Sequence, residues 1–132
     1  MKTKSIVAEK SFEFAKQIIE VYKHLKFDRK EFELSKQLVK SGTSIGDNIE
    51  EALGAQSDRD FLSKISISYK EARECKYWIR LLSETDLLPR DQSKKLIPQI
   101  DEISRMLAST QFTMQKKISK QKTNSYLKTQ DA

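Results

Sequence analysis

Apolar residues recur every three or four positions along most of this chain, and that spacing predicts amphipathic α-helices. Short polar stretches divide the pattern into four helical segments, which we expect at about residues 5–25, 30–53, 57–83 and 89–118. Only three glycines and two prolines interrupt the chain, which favours helices over a sheet. Four helices with short connections predict an all-α fold, an antiparallel up-down-up-down four-helix bundle.

The first segment carries two apolar stripes side by side. The inner stripe contains Val7, Phe14, Ile18, Val21 and Leu25. The second stripe contains Phe12, Ala15, Ile19 and Tyr22. One stripe is enough for one neighbouring helix, so we expect this helix to face two neighbours and the chain to form oligomers.

The second segment has a centre of small residues, Ser41-Gly42-Thr43-Ser44. Glycine inside a helix costs about 1 kcal/mol relative to alanine, so we expect another helix to approach closely here. Gly54 follows the segment and is expected in the left-handed conformation that often ends a helix.

A polar ladder, Ser44, Asn48 and Glu51, runs beside the apolar positions of this second helix. We predict that Asn48 and Glu51 form hydrogen bonds with the third helix, and that the network includes Ser68, Glu71 and Arg73. Such a network would fix helix register or subunit pairing.

The third segment begins at Ser57, a residue type that caps helix N-termini. Its apolar ladder includes Cys75, which is therefore predicted to be a small core residue and not a nucleophile. Trp78 falls at the edge of the ladder, where a large aromatic side chain suits a subunit contact.

The residue types exclude most catalytic chemistry. The chain has one cysteine and one histidine, His24, too few for a structural zinc site or a di-iron centre. No glycine-rich phosphate loop is present, and we predict no cofactor and no metal. Carboxylates remain the one catalytic option, namely Glu50, Glu51, Glu71 and Glu74, but ion pairs and hydrogen bonds at helix contacts explain them better. We therefore predict that the protein is not an enzyme.

The same composition bears on location. No signal-peptide pattern and no apolar run long enough to span a membrane occur in the sequence. A single cysteine cannot form a disulfide within the chain, which fits a reducing compartment. We expect a cytoplasmic protein with no membrane partner.

The net charge of +6 is unevenly distributed. Residues 115–132 carry five lysines and one aspartate, so we divide the chain into a bundle, 1–118, and a basic, flexible tail, 119–132. One hypothesis assigns phosphate contacts with RNA or DNA to this end, without base specificity. The contacting residues would be Lys116, Lys117, Lys120 and Lys122, helped by Lys2 and Lys4. The alternative is a protein-interaction scaffold whose lysines only maintain solubility.

Two motifs resemble those of the four-helix-bundle proteins encoded in intervening sequences of bacterial 23S ribosomal RNA genes, the S23 ribosomal protein-like family. The first is Ser44-Ile45-x-x-Asn48-Ile49-x-Glu51. The second is Lys70-Glu71-Ala72-Arg73-Glu74 followed by Tyr77-Trp78-Ile79-Arg80-Leu81-Leu82. The similarity covers about residues 12–118, and the chain departs from it at Ala52, where the family commonly has glycine.

The resemblance implies an antiparallel four-helix bundle that assembles as a homopentamer and has no established enzymatic activity. A related branch, the accessory proteins of diversity-generating retroelements, binds nucleic acid and a reverse transcriptase through a basic pentamer surface. The resemblance does not imply a ribosome component, because a gene inside an rRNA gene need not encode one.

Overall fold

Four α-helices make up the computed structural model, which describes residues 5–131 and contains no strand in that range. A five-residue π-helical turn, His24–Asp28, continues the first helix. The helices are α1 (Ile6–Lys23), α2 (Glu33–Leu53), α3 (Asp58–Glu84) and α4 (Arg90–Asp131). The predicted all-helical fold with four helices is confirmed.

The helices share one apolar core. Contacts join α1 to α2, α2 to α3, α3 to α4 and α4 back to α1. The buried apolar side chains recur every three or four residues along each helix, from Phe14 on α1 to Leu107 on α4. Val7, the first residue of the predicted inner stripe, is only half-buried. Farther along the same face of α4, Met114 and Ile118 are only half-buried. The core therefore ends near Leu107, well before α4 does.

Helix starts are fixed by side chains that accept hydrogen bonds from exposed backbone amides. Ser57 Oγ accepts from the Asp60 amide at 3.0 Å, as its sequence position predicts. At the start of α2 the carboxylate of Glu31 accepts from the amides of Leu34 at 2.9 Å and Ser35 at 2.7 Å. Glutamate is not a usual capping residue, and this role was not predicted.

The expectation of a left-handed Gly54 is wrong. Gly54 has φ −99°, and its amide donates to Glu51 O at 3.2 Å, so a tight four-residue turn of the 3-10 type ends α2. The left-handed residues come after the π-helical turn that continues α1 and after α3: Lys30 has φ 58° and Asp86 has φ 63°. Each is followed by an amide that donates far back into the preceding helix, as for Leu87 to Leu82 O at 3.0 Å.

Two contacts relate the ends of the helices. Arg29 Nη1 donates to Asp86 O at 3.0 Å, so the α1–α2 connection lies beside the α3–α4 connection. Lys117 on α4 pairs with Asp58, the first residue of α3, at 3.3 Å. Because α4 has 42 residues and α3 has 27, the last part of α4 extends beyond the start of α3.

The predicted close approach at the small-residue centre of α2 is present. A Cβ atom on Gly42 would lie 2.7 Å from Cγ2 and 3.0 Å from Cγ1 of Ile18 on α1. One turn later, a Cβ atom on Gly46 would lie 3.6 Å from Ser11 Cβ, an ordinary contact. Gly42 is therefore required by the distance between α1 and α2, and Gly46 is not.

This difference predicts opposite effects of two alanine substitutions. Gly46→Ala should raise the free energy of unfolding by up to about 1 kcal/mol, because alanine favours helix. Gly42→Ala forces Ile18 or the helix axes to move, and overpacking of this kind costs about 1–3 kcal/mol. Urea unfolding of both variants measures the difference. Equal stabilities for the two variants would contradict the assigned contact.

Candidate nucleic-acid interface

The four lysines predicted to contact phosphate lie on the last part of α4, and all are exposed. Lys116 and Lys120 are one turn apart and share a face, whereas Lys122 falls on nearly the opposite side from Lys120. The lysines therefore surround the helix and do not form a patch on one side. Lys2 and Lys4 lie outside the described residues.

Two of the four lysines have partners on the chain. Lys117 Nζ lies 3.3 Å from Asp58 Oδ2, and Gln121 Nε2 donates to the same oxygen at 3.4 Å. Lys116 Nζ lies 5.5 Å from the centre of the Phe112 ring. Among the side chains that the structure describes, no carboxylate pairs with Lys120 or Lys122. Of the four predicted lysines, these two are best placed for an external phosphate.

The helix extends past Ile118 without a break as far as Asp131, and every described side chain from residue 119 to 130 is exposed. The proposed boundary at residue 118 therefore does not coincide with the end of the helix. The flexibility expected for residues 119–132 stays a prediction.

A basic residue from another helix joins this end of α4. Arg59, in the first turn of α3, lines a groove of about 460 Å³ together with Gln121 and Lys122. One acid, Asp58, lines it as well, and it pairs with Lys117. Arg59 was not among the residues predicted from the sequence, although α3 begins where α4 reaches the end of the bundle. Guanidinium and ammonium groups at one groove can contact neighbouring phosphates of a strand.

A second basic groove of about 260 Å³ lies beside the α3–α4 connection. Arg80, Arg90 and Lys94 line it with one acid, Glu84. This groove was not predicted from the sequence, because its cations are scattered over two helices and only the turn between them brings them together.

The comparisons with known proteins give the family. The model of the 23S rRNA-intervening sequence protein family matches residues 3–109. The chain belongs to this family. The matched residues end before Lys116, so the basic end of α4 lies outside the part of the chain that identifies the family.

A solved structure supports the same assignment. It is a protein of unknown function from the S23 ribosomal protein family of Bacteroides thetaiotaomicron VPI-5482, with 45% sequence identity and a TM-score of 0.79. The match covers 80% of this chain and 98% of that chain. The curated proteins contain no match.

The polar ladder of the family motif is arranged differently from the prediction. Asn48 Nδ2 donates to Ser44 O of its own helix at 2.8 Å, and Ser44 Oγ donates to Lys40 O at 2.6 Å. Short polar side chains reach the carbonyl one turn back, which competes with contacts to another helix. The predicted hydrogen bond from Asn48 to the third helix is therefore not seen.

Other members of the predicted network do connect the second and third helices of this family member. Ser68 Oγ donates to Ile45 O at 2.8 Å in a buried position, and Glu51 pairs loosely with Lys64 at 3.8 Å. Arg73 lies over the Tyr69 ring at 5.9 Å. Asn48 contacts Ser44, whereas Glu51, Ser68 and Arg73 each have a different partner within the described chain. A shared role of the six residues at a subunit contact stays a prediction.

Two titratable groups on α3 have perturbed pKa values. Burial raises the pKa of the Cys75 thiol to about 12, against the hydrogen bond from Ser41 that lowers it. With this pKa the thiol is protonated near neutral pH. Cys75 is fully buried, which confirms its predicted core position. Burial also raises the pKa of Glu71, as does its neighbour Glu74, while Lys40 and Lys70 oppose the rise.

Metal-binding and membrane-spanning features are not found in the part of the chain that the structure describes. No group of three or more histidine, cysteine, aspartate or glutamate side chains is arranged to hold a metal ion. None of the helices there is both long and apolar enough to span a bilayer. His24 Nδ1 lies 2.9 Å from Asp28 Oδ2 in the π-helical turn.

The hydrogen bond of Asn48 within its own helix predicts that Asn48 and Glu71 contribute independently to the stability of the fold. Their alanine substitutions should be additive in unfolding free energy within about 0.5 kcal/mol, since they share no partner. Ser68→Ala should cost about 1 kcal/mol on its own, because it removes a buried hydrogen bond between helices. A double-mutant cycle by urea unfolding measures both. Coupling well above that limit would restore the predicted network.

The raised pKa of Glu71 predicts that replacing this residue stabilises the fold by an amount that depends on pH. The carboxyl of Glu71 binds a proton more tightly in the folded chain than in the unfolded chain, because its pKa is raised on folding. Protonation of Glu71 therefore favours folding below the usual pKa of 4.5. This contribution to stability is lost as the pH rises through the pKa of the folded state. Glu71→Gln should therefore raise the urea midpoint at pH 7, with a smaller gain near pH 4. The exposed Asp47→Asn exchange controls for loss of a surface charge. An equal gain at both pH values argues against the assigned burial effect.

Proposed function

We propose that this chain is a non-enzymatic homo-oligomer that binds RNA or DNA through phosphate contacts, without reading base sequence. The observation that carries this proposal is the lysine-rich last part of α4, residues 116–130, which we call the α4 end, with Arg59 beside it. Phosphate contacts need positive charge without fixed geometry, which suits lysines distributed around a helix. Base readout would need a shaped, aromatic-lined surface that these residues do not provide.

We infer an antiparallel up-down-up-down arrangement for the four helices. The hydrogen bond from Arg29 to Asp86 supports it, because it brings the first and third connections together. The pair between Lys117 and Asp58 supports it from the other end of α3. Both contacts are expected when successive helices alternate in direction.

The oligomer is supported by the second apolar stripe of α1. Phe12 is 65% exposed and Ile19 is 37% exposed, and the half-buried Ala15 and Tyr22 lie on the same face. A row of apolar side chains on one helix face is typical of an interaction surface. We propose a homopentamer on the basis of the family resemblance, and five copies would multiply the net charge of +6 and so attract a polyanion.

The proposal assigns no catalytic residue. The thiol of Cys75 is buried, and its raised pKa keeps it from acting as a nucleophile. Glu71 is the described carboxyl with a raised pKa, and burial at a helix contact next to Glu74 accounts for it. We also assign the protein to the cytoplasm, since its single cysteine allows no disulfide within the chain.

A protein-interaction scaffold is the second candidate. Tyr77 is 55% exposed and meets the half-buried Trp78 edge to face at a centroid distance of 5.1 Å. Aromatic pairs at a surface are typical of protein contacts. This candidate uses no phosphate contact, so binding of the partner would depend little on salt.

The salt dependence of RNA binding separates the two candidates. We expect the affinity for a structured RNA to fall linearly with salt on logarithmic axes. Lys120→Gln with Lys122→Gln should weaken binding at every RNA sequence, and lower the slope by about 0.7–0.9 for each phosphate that the variant no longer neutralises. Truncation after Ile118 should remove most of the affinity. Fluorescence anisotropy over a range of KCl concentrations measures each effect.

A matched double variant, Lys23→Gln with Lys36→Gln, removes the same charge from exposed positions on α1 and α2. It should bind nearly as well as the wild type. If the chain cut after Ile118 binds RNA as tightly as the full chain, the α4 end is not the interface. Weak RNA binding that does not change with salt concentration favours the protein-interaction scaffold.

A further inference from the structure

An open groove of about 550 Å³ lies between the start of α1 and the end of α2. Its apolar lining consists of Ala8, Phe12 and Leu53, and Phe12 and Leu53 are 65% and 55% exposed. Three glutamates line it as well: Glu9, Glu13 and Glu50. Two large apolar side chains at one open groove favour an interaction site.

The charge at this groove is mainly negative. Lys16 pairs with Glu13 at 3.0 Å, and its ammonium group lies 5.8 Å from the Phe12 ring. No described cation pairs with Glu9 or Glu50. An occupant of the groove should therefore be apolar and basic at once.

The end of α4 has these two properties. Tyr126 and Leu127 are adjacent and are 63% and 53% exposed. Lys122 and Lys128 flank them in sequence, and Asp131 is the one acid after residue 118. A stretch of about a dozen exposed residues is marginally stable as a helix in water, and burial of one face would stabilise it.

The α4 end cannot fill the groove of its own chain while it stays helical. Contacts of Lys117 and Gln121 with Asp58 hold α4 against the start of α3. The residues after Gln121 continue away from this point by about 1.5 Å each. A straight helix does not turn back toward α1 and α2, so the groove is available to another chain.

We propose that the α4 end of one copy docks in the α1–α2 groove of a second copy. Leu127 packs between Phe12 and Leu53. Tyr126 lies at one edge of this face of α4, and the long side chain of Lys128 reaches Glu9 and Glu50 from the other edge, since each residue of a helix points about 100° away from the next. The inference rests on the proposed homo-oligomer and adds a contact outside the residues that match the family. The groove and the helix end are different surfaces of one chain, so the contact is heterologous and can close a ring.

Disulfide trapping between two differently tagged, co-expressed chains tests the contact. One chain carries Leu53→Cys and the other Leu127→Cys. Cys75 is fully buried and its thiol is protonated, so it does not compete. Mild oxidation should give a covalent dimer that contains both tags. In the control, Ile67→Cys replaces Leu53→Cys, because Ile67 is an exposed apolar residue on α3.

The dimer with both tags should form at several times the yield of the control pair. Adding Glu9→Lys and Glu50→Lys to the groove chain should lower the yield, and adding Lys128→Glu to the other chain should recover part of it. Helix content by circular dichroism verifies that each variant is folded. Equal yields for the test and control pairs overturn the proposal.

Native mass spectrometry of the same samples separates this proposal from the proposed function. A multimer without the specific disulfide shows that docking is wrong and leaves the oligomer standing. A mass of one chain shows that the proposed homo-oligomer does not form, and this result contradicts the docking contact as well. Lys120→Gln with Lys122→Gln leaves Tyr126, Leu127 and Lys128 in place, so it should weaken RNA binding and keep most of the disulfide yield.

Discussion

The close contact between Gly42 and Ile18 sets the distance between α1 and α2, and much of the molecule depends on that distance. Ile18 is fully buried, and a glycine opposite it lets α1 lie directly against α2. At this distance the inner stripe of α1 is buried in the core from Phe14 to Leu25. The neighbouring stripe, with Phe12 and Ile19, stays outside. One side of α1 thus builds the fold, and the other side is left for a second contact.

Features set by regular spacing could be predicted from the sequence. Burial follows the spacing of three and four residues, so the inner stripe of α1 from Phe14 to Leu25 and the core position of Cys75 on α3 could be predicted. The cap at Ser57 was found because its side chain type and place are typical of helix starts. The close approach at Gly42 was found because glycine in mid-helix is costly.

Features that depend on alternatives of similar energy could not be predicted. Glu31 caps α2 because the left-handed Lys30 turns the chain there, and no residue type signals it. Asn48 could bond to α3 or to its own helix, and the local carbonyl lies nearer. Lys117 pairs with Asp58 because this turn of α4 lies against the start of α3, and the sequence does not show which turn of α4 does so. Arg59 joins Lys122 only when the helices are assembled.

The α1–α2 groove and the α4 end are both exposed, and their charges are opposite. The α1–α2 groove is apolar and acidic, and the α4 end is apolar and basic. A ring in which each copy offers one surface to each neighbour would bury both apolar surfaces. It would also collect the remaining lysines and Arg59 of several copies on one assembly, where their summed field attracts phosphate.

The molar mass of the chain in solution tests most directly whether its outer apolar surfaces are covered by further copies. Static light scattering at several protein concentrations and at moderate salt gives this mass. The proposed ring predicts a species about five times the 15.4 kDa of one chain. A mass of 15.4 kDa at every concentration would contradict it.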